Sequence, residues 1–270
     1  MSTVFARAAL IMALCMATGF VTSVSGHHSW NNFHWARHNY PFTLKTGDNV
    51  SAAWDTYLDD AIHGWSHSAA LDLTKVVGGT SPATCAPTAG RIEVCNAAYG
   101  ATGWLGIAQV WLADAEHITQ ATTKVNDTYF NTATYNTPAW RRLVMCQEIA
   151  HDFGLDHQDE AFNNPNLGSC MDYTSDPDGP PSNEWPNGHD YEQVEWIYAH
   201  HDATTTVGNP KLPSSMPPAM GDIVLDTPAQ WGRLIRSSAN GRVRVYRLDF
   251  GRGHHVVTRV LWADPARDAQ

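Results

Sequence analysis

The stretch Cys146-Gln147-Glu148-Ile149-Ala150-His151-Asp152-Phe153-Gly154-Leu155-Asp156-His157 gathers the residue types in this chain most able to act together chemically. Read as a helix, it sends Gln147 and His151 from one face about a turn apart. Glu148, one residue further along than Gln147, can reach a water bound between them. Gly154 can adopt the left-handed conformation that ends a helix and turns the chain back, which brings His157 to the same point from outside the helix. Two imidazoles, an amide oxygen and a carboxylate then converge. That is the layout of a catalytic metal site with three protein ligands (Gln147, His151 and His157), an open position for water, and Glu148 beside it as general base.

At these residues the chain resembles the metzincin metalloproteases, whose pattern is H-E-x-x-H-x-x-G-x-x-H followed by a Met-turn. Glu148, His151, Gly154 and His157 match, and Gln147 stands where the first histidine is usual. Glutamine at that position is known in the gametolysin-like branch of these proteases. Gly168-Ser169-Cys170-Met171-Asp172-Tyr173 follows at a plausible distance. The resemblance makes Met171 the Met-turn residue packed beneath the metal and Tyr173 a hydrogen-bond donor to the transition state. It covers residues 40–200 in layout, although only about thirty residues carry specific motifs. Glutamine is a weaker and harder donor than imidazole towards zinc or copper. The alternative to a working protease is therefore a pseudoenzyme, a binding protein that keeps the fold without tight metal.

The rest of the chain must position this stretch. Its 270 residues, 43% hydrophobic and only 16% charged, suit one globular domain, or one with an appendage. A formal charge of −10 argues against nucleic acid or an anionic membrane surface as partner. No internal stretch is long enough to span a bilayer. Residues 1–25 read as a signal peptide: Arg7 gives a positive start, residues 8–20 an apolar run, and Ser23-Val24-Ser25 a small-x-small cleavage site. Setting aside Cys15, Cys85, Cys95, Cys146 and Cys170 make an even set in a chain expected to be extracellular. Three pairings are open, and local spacing favours Cys85–Cys95 with Cys146–Cys170. The second pair would stabilise by about 3 kcal/mol in the chain-entropy model and hold the active-site helix against the Met-turn.

Residues 26–40, rich in histidine and aromatics, read as a solvated extension. They leave little room for the long inhibitory propeptide the resemblance implies. An α+β catalytic domain is expected over residues 41–201, with a mixed twisted sheet. Strands are predicted near residues 41–44, 71–77, 91–95 and 104–112, and helices over 50–65 and 191–200. The β-branched run 117–125 reads as a sheet edge suited to an extended peptide substrate. Thr137-Pro138 opens the active-site helix as cap and first turn. The acidic loop 158–166 follows the ligand order of no known calcium site, so calcium stays open. Lone histidines such as His63, His67 and His117 are weak ligand signals. Residues 202–220 read as a linker and 221–270 as a small β-rich appendage in which His254 and His255 are exposed. The reading that results is a secreted, extracellular, monomeric zinc endopeptidase, with copper as the alternative metal and a protein or peptide as substrate. An esterase using the same metal site is a further alternative.

Overall fold

The computed structural model describes residues 27–264; the expected signal peptide and Cys15 lie outside them. The elements are β1 (His34–Trp35), β2 (Phe42–Asn49), α1 (Asp55–Trp65), β3 (Leu71–Val77), β4 (Ile92–Ala97), β5 (Trp104–Ala113), β6 (His117–Asn126), the short α2 (Asp127–Phe130), α3 (Pro138–His151), α4 (Gly188–Ile197), the short α5 (Pro218–Gly221), β7 (Arg233–Ser237), β8 (Val243–Gly251) and β9 (His254–Trp262). They form an α+β fold around one mixed sheet in the order β3-β2-β4-β6-β5-β9-β8-β7, with β1 also paired to β6. The β3-β2-β4-β6 half is parallel. From β5 onward every pairing is antiparallel.

Alternation along β5 explains why this strand must be central. Leu105, Val110 and Leu112 join the core formed with α1 and α3, including Trp54, Trp65, Leu143 and Val144. Trp104, Ile107 and Trp111 face the other way, into a second core with Met216, Met220, Leu225 and Trp231. A strand buried on both faces reads as a continuous apolar run, and all of β5 is buried.

The structure departs from four expectations. The run 117–125 is not a sheet edge: β6 has β4 and β1 on one side and β5 on the other. β-Branched residues favour any well-packed pleated surface, so composition could not separate edge from interior. The free side of β5 is taken by β9, which joins the appendage edge to edge with the main sheet. Residues 202–220 are folded on the body: the Thr206 hydroxyl accepts from the Ala36 amide at 3.0 Å, and Met216 and Met220 are buried. Their prolines mark loops, not a free tether. His254 and His255 are buried in β9.

The fourth concerns the N-terminal stretch, which is not a solvated extension. His28, Trp30, Phe33 and Trp35 are buried. The Trp30 amide donates to the Gly154 carbonyl at 2.7 Å, and the Asp156 amide to the His28 carbonyl at 2.6 Å. This segment therefore lies directly on the turn between His151 and His157. Gly154 has φ +99°, and a Cβ there would sit 2.0 Å from the Phe33 carbonyl oxygen. Gly154→Ala is thus expected to cost roughly 3 kcal/mol, from left-handed strain and backbone overlap together. A urea midpoint equal to wild type would contradict this contact.

Candidate metal centre

Helix α3 begins as its sequence suggests: Thr137 accepts from the Trp140 amide at 3.2 Å, and Pro138 fills the first position. Both favoured disulfides are formed, Cys85–Cys95 and Cys146–Cys170. The second joins α3 to the segment holding Met171. Across the same junction the Gln147 side-chain amide donates to the Cys170 carbonyl at 2.8 Å. This leaves the Gln147 Oε1 as the free end of that side chain. The segment holding Met171 is fixed in turn by α4: the Ser169 hydroxyl donates to the Asp190 carboxylate at 2.7 Å and accepts from the Met171 amide at 2.8 Å. Asp190 and Asn187 also form the capping box that starts α4.

The structure brings His151 and His157 together. Their Nε2 atoms are 3.0 Å apart, close to the spacing of about 3.3 Å between two nitrogens on one tetrahedral zinc. The His151 Nδ1–H donates to the Leu155 carbonyl at 2.8 Å, which turns the Nε2 lone pair towards His157. The Tyr173 ring lies against His157, centroids 3.9 Å apart, and Phe162 stacks behind it. Gln147 Oε1, Glu148 Oε2 and the Tyr173 hydroxyl are buried without a hydrogen-bond partner. Three orphaned polar atoms, two on residues about a helical turn before His151 and one on the ring against His157, are costly unless something satisfies them. A cation with a bound water fits that set. Met171 is fully buried.

Glu148 lies over β5 at Gly106, where a Cβ would come within 2.6 Å of the Glu148 Oε1. Only glycine lets strand and carboxylate approach so closely. Burial pushes the Glu148 carboxyl up to about 8, with the Arg259 charge opposing.

Arg259 had no signal in the sequence. It pairs with Ala108 in the β5–β9 register, and directly paired residues share a sheet face. Ala108 is two residues from Gly106, so Arg259 points to the side occupied by Glu148. Its Nη2 lies 2.6 Å from the His157 Nδ1, and its Nη1 lies 2.6 Å from the Asp156 carboxylate. A guanidinium can only donate, so His157 accepts on Nδ1 and carries its proton on Nε2, towards His151. Burial first, and then the Arg259 charge, hold both histidines well below the usual imidazole range. Burial would raise Asp156, but Arg259 and Arg236 bring it down to about 2. Arg236 pairs with Asp156 at 2.7 and 3.0 Å and also with Glu160. Asp156, His157 and Glu160 bring their ligand atoms close together. The two arginines neutralise the carboxylates, so the group is an ion-pair network and not a second cation cage.

The centre is enclosed. The Trp30 and His151 rings meet edge to face with centroids 5.9 Å apart, and the Arg259 guanidinium lies over Trp30. A cleft of about 420 Å³ opens alongside, lined by Ser29, Trp30, Asp156, Arg236 and Val245. Comparison with protein-family models and with curated proteins gives no match for this chain.

Proposed function

We propose that this chain is a secreted metal-dependent endopeptidase of metzincin type. The observation that carries the reading is the buried meeting of His151 and His157 at 3.0 Å beside three unsatisfied polar atoms, one of them on Glu148. Gln147 through Oε1, His151 and His157 would hold zinc, or copper. Such an ion would polarise the scissile carbonyl and acidify a water. A neighbouring cation also favours the ionised form of Glu148. Glu148 then takes the proton of the attacking water and delivers it to the leaving amine. The Tyr173 hydroxyl donates to the oxyanion that develops. His157 must carry its proton on Nδ1 to offer Nε2, and Glu160, 3.7 Å from that nitrogen, is the acceptor that can replace Arg259. Two disulfides support an extracellular setting. Among the described residues no helix is long and apolar enough to cross a membrane.

Metal content by mass spectrometry, with casein cleavage followed on the same sample, tests the reading. Bound zinc or copper with chelator-sensitive cleavage supports it, and a site that stays inactive after metal is added overturns it. Gln147→His should bind zinc at least roughly ten-fold more tightly, because imidazole is the better donor. An unchanged affinity would remove Gln147 from the ligand set.

One observation favours the second reading, a metal-free binding protein on the same fold. With Arg259 donating to Nδ1, the Nε2–H of His157 is satisfied by His151 and the imidazole pair is complete without a cation. That form should show no metal-dependent cleavage of any unfolded protein.

A further inference from the structure

A second constellation lies outside this centre, where β1, the start of β6 and the turn after α4 meet. His34 and His117 are register partners in the β1–β6 pair. The Asp202 Oδ1 stands 3.3 Å from the His34 Nε2, 3.4 Å from the His117 Nε2 and 3.4 Å from the His200 Nε2. The His200 and His34 Nε2 atoms are 3.1 Å apart. Nitrogens and oxygens at about 2.0–2.1 Å from one tetrahedral zinc stand about 3.3 Å from each other, which is the spacing seen here. The ligand atoms of His34, His117 and Asp202 all lie within 4.8 Å of one another. His200 approaches two of them from the solvent side.

The surrounding hydrogen bonds fix these groups as ligands are fixed. The His34 Nδ1 is 2.6 Å from the Asn32 carbonyl, so its proton is there and its Nε2 presents a lone pair. That lone pair faces a carboxylate oxygen at 3.3 Å inside a site where His34 is buried. A proton shared with His200, whose Nε2 is 3.1 Å away, or a cation reconciles the two acceptors, and a cation serves all the facing groups at once. The other oxygen of Asp202 is taken by the Arg37 amide at 2.9 Å, and the Asp202 backbone by Arg37 and His38. Oδ1 is left facing the imidazoles. Glu116, 3.9 Å from the His117 Nε2, is half-buried and adds negative potential at the rim.

We propose that His34, His117 and Asp202, with His200 as fourth ligand, form a structural zinc site that pins the N-terminal segment to the body of the protein. The mixed imidazole and carboxylate set suits zinc. The partly exposed His200 gives the ion an entry path. The segment so anchored is the one that lays Trp30 on His151 and bonds to Gly154, so the pin holds the roof of the other centre.

The test is equilibrium zinc binding to the full secreted chain, stripped with chelator and titrated with zinc chloride, for wild type, His117→Gln and His200→Gln. Both positions are partly exposed, and their circular dichroism should match wild type. Each variant is expected to lose one zinc equivalent, or to bind it at least roughly ten-fold more weakly. Zinc should also protect amides of residues 28–35 from hydrogen exchange in wild type and not in the variants. The loss is relative, so it reads the same whether the His151–His157 centre holds metal or not, and a failure of the protease reading stays distinguishable. Stoichiometry and affinity equal to wild type in both variants would overturn the proposal.

Discussion

Glu148→Gln is expected to lower chelator-sensitive casein cleavage by ~10²–10⁴-fold while leaving zinc content and the unfolding midpoint close to wild type. The substitution keeps the shape of the side chain and removes only its capacity to take a proton. The fold should tolerate it, because burial already pushes this carboxyl up to about 8 and favours its neutral form in the metal-free protein. The tight packing against Gly106 is also preserved by an isostere and would be lost with a larger residue. Glu148 provides no metal ligand in this reading, so zinc should remain. The loss should fall on kcat with KM little changed, since proton transfer belongs to the transition state. Cleavage near the wild-type rate would remove Glu148 as base, and zinc lost together with activity would make it a ligand instead.

The parts of this protein that could be read from its sequence are those set by local chemistry. Thr137-Pro138 marks the start of α3, and Gly154 marks the turn that brings His157 back, because each is fixed by neighbouring residues. The two disulfides fell to short spacing. Strands β3, β5 and β6 lie within a residue of where alternation and apolar runs put them. What escaped depends on partners far apart in the chain. Nothing in residues 254–262 announces that they will pair with β5, since a strand carries no label for its neighbour. With that pairing went the position of Arg259. The His34–Asp202 contact spans 168 residues, so each of its histidines looks like a lone one. The aromatic N-terminal stretch hides its place for the same reason: its polar and aromatic composition suits solvent until a turn at Gly154 offers it backbone partners.

Arg259→Met should move two quantities in opposite directions. Arg259 is fully buried and shares Asp156 and Glu160 with Arg236. Removing it leaves Arg236 to hold both carboxylates from a half-exposed position, so unfolding free energy should fall by about 3 kcal/mol, at the low end for an uncompensated buried charge. Zinc affinity should rise. The guanidinium holds the His157 Nδ1 as an acceptor and so keeps a proton on the Nε2 that a metal needs. Without it, that proton can shift to Nδ1 towards Glu160, and a positive charge leaves the vicinity of the cation. Coulomb's law gives several kcal/mol of repulsion at this range in an effective dielectric near 20. Asp156 and Glu160 offset most of it, and roughly ten-fold tighter binding, about 1.4 kcal/mol, is expected to emerge. Denaturation of the metal-free protein and zinc titration of the folded one read the two effects separately. A residue that only packed the core would weaken both together, so a fall in zinc affinity alongside stability would take Arg259 out of the chemistry of the centre. A gain in affinity would show that β9, an inner strand of the sheet, sets the readiness of the histidine pair for metal through one side chain.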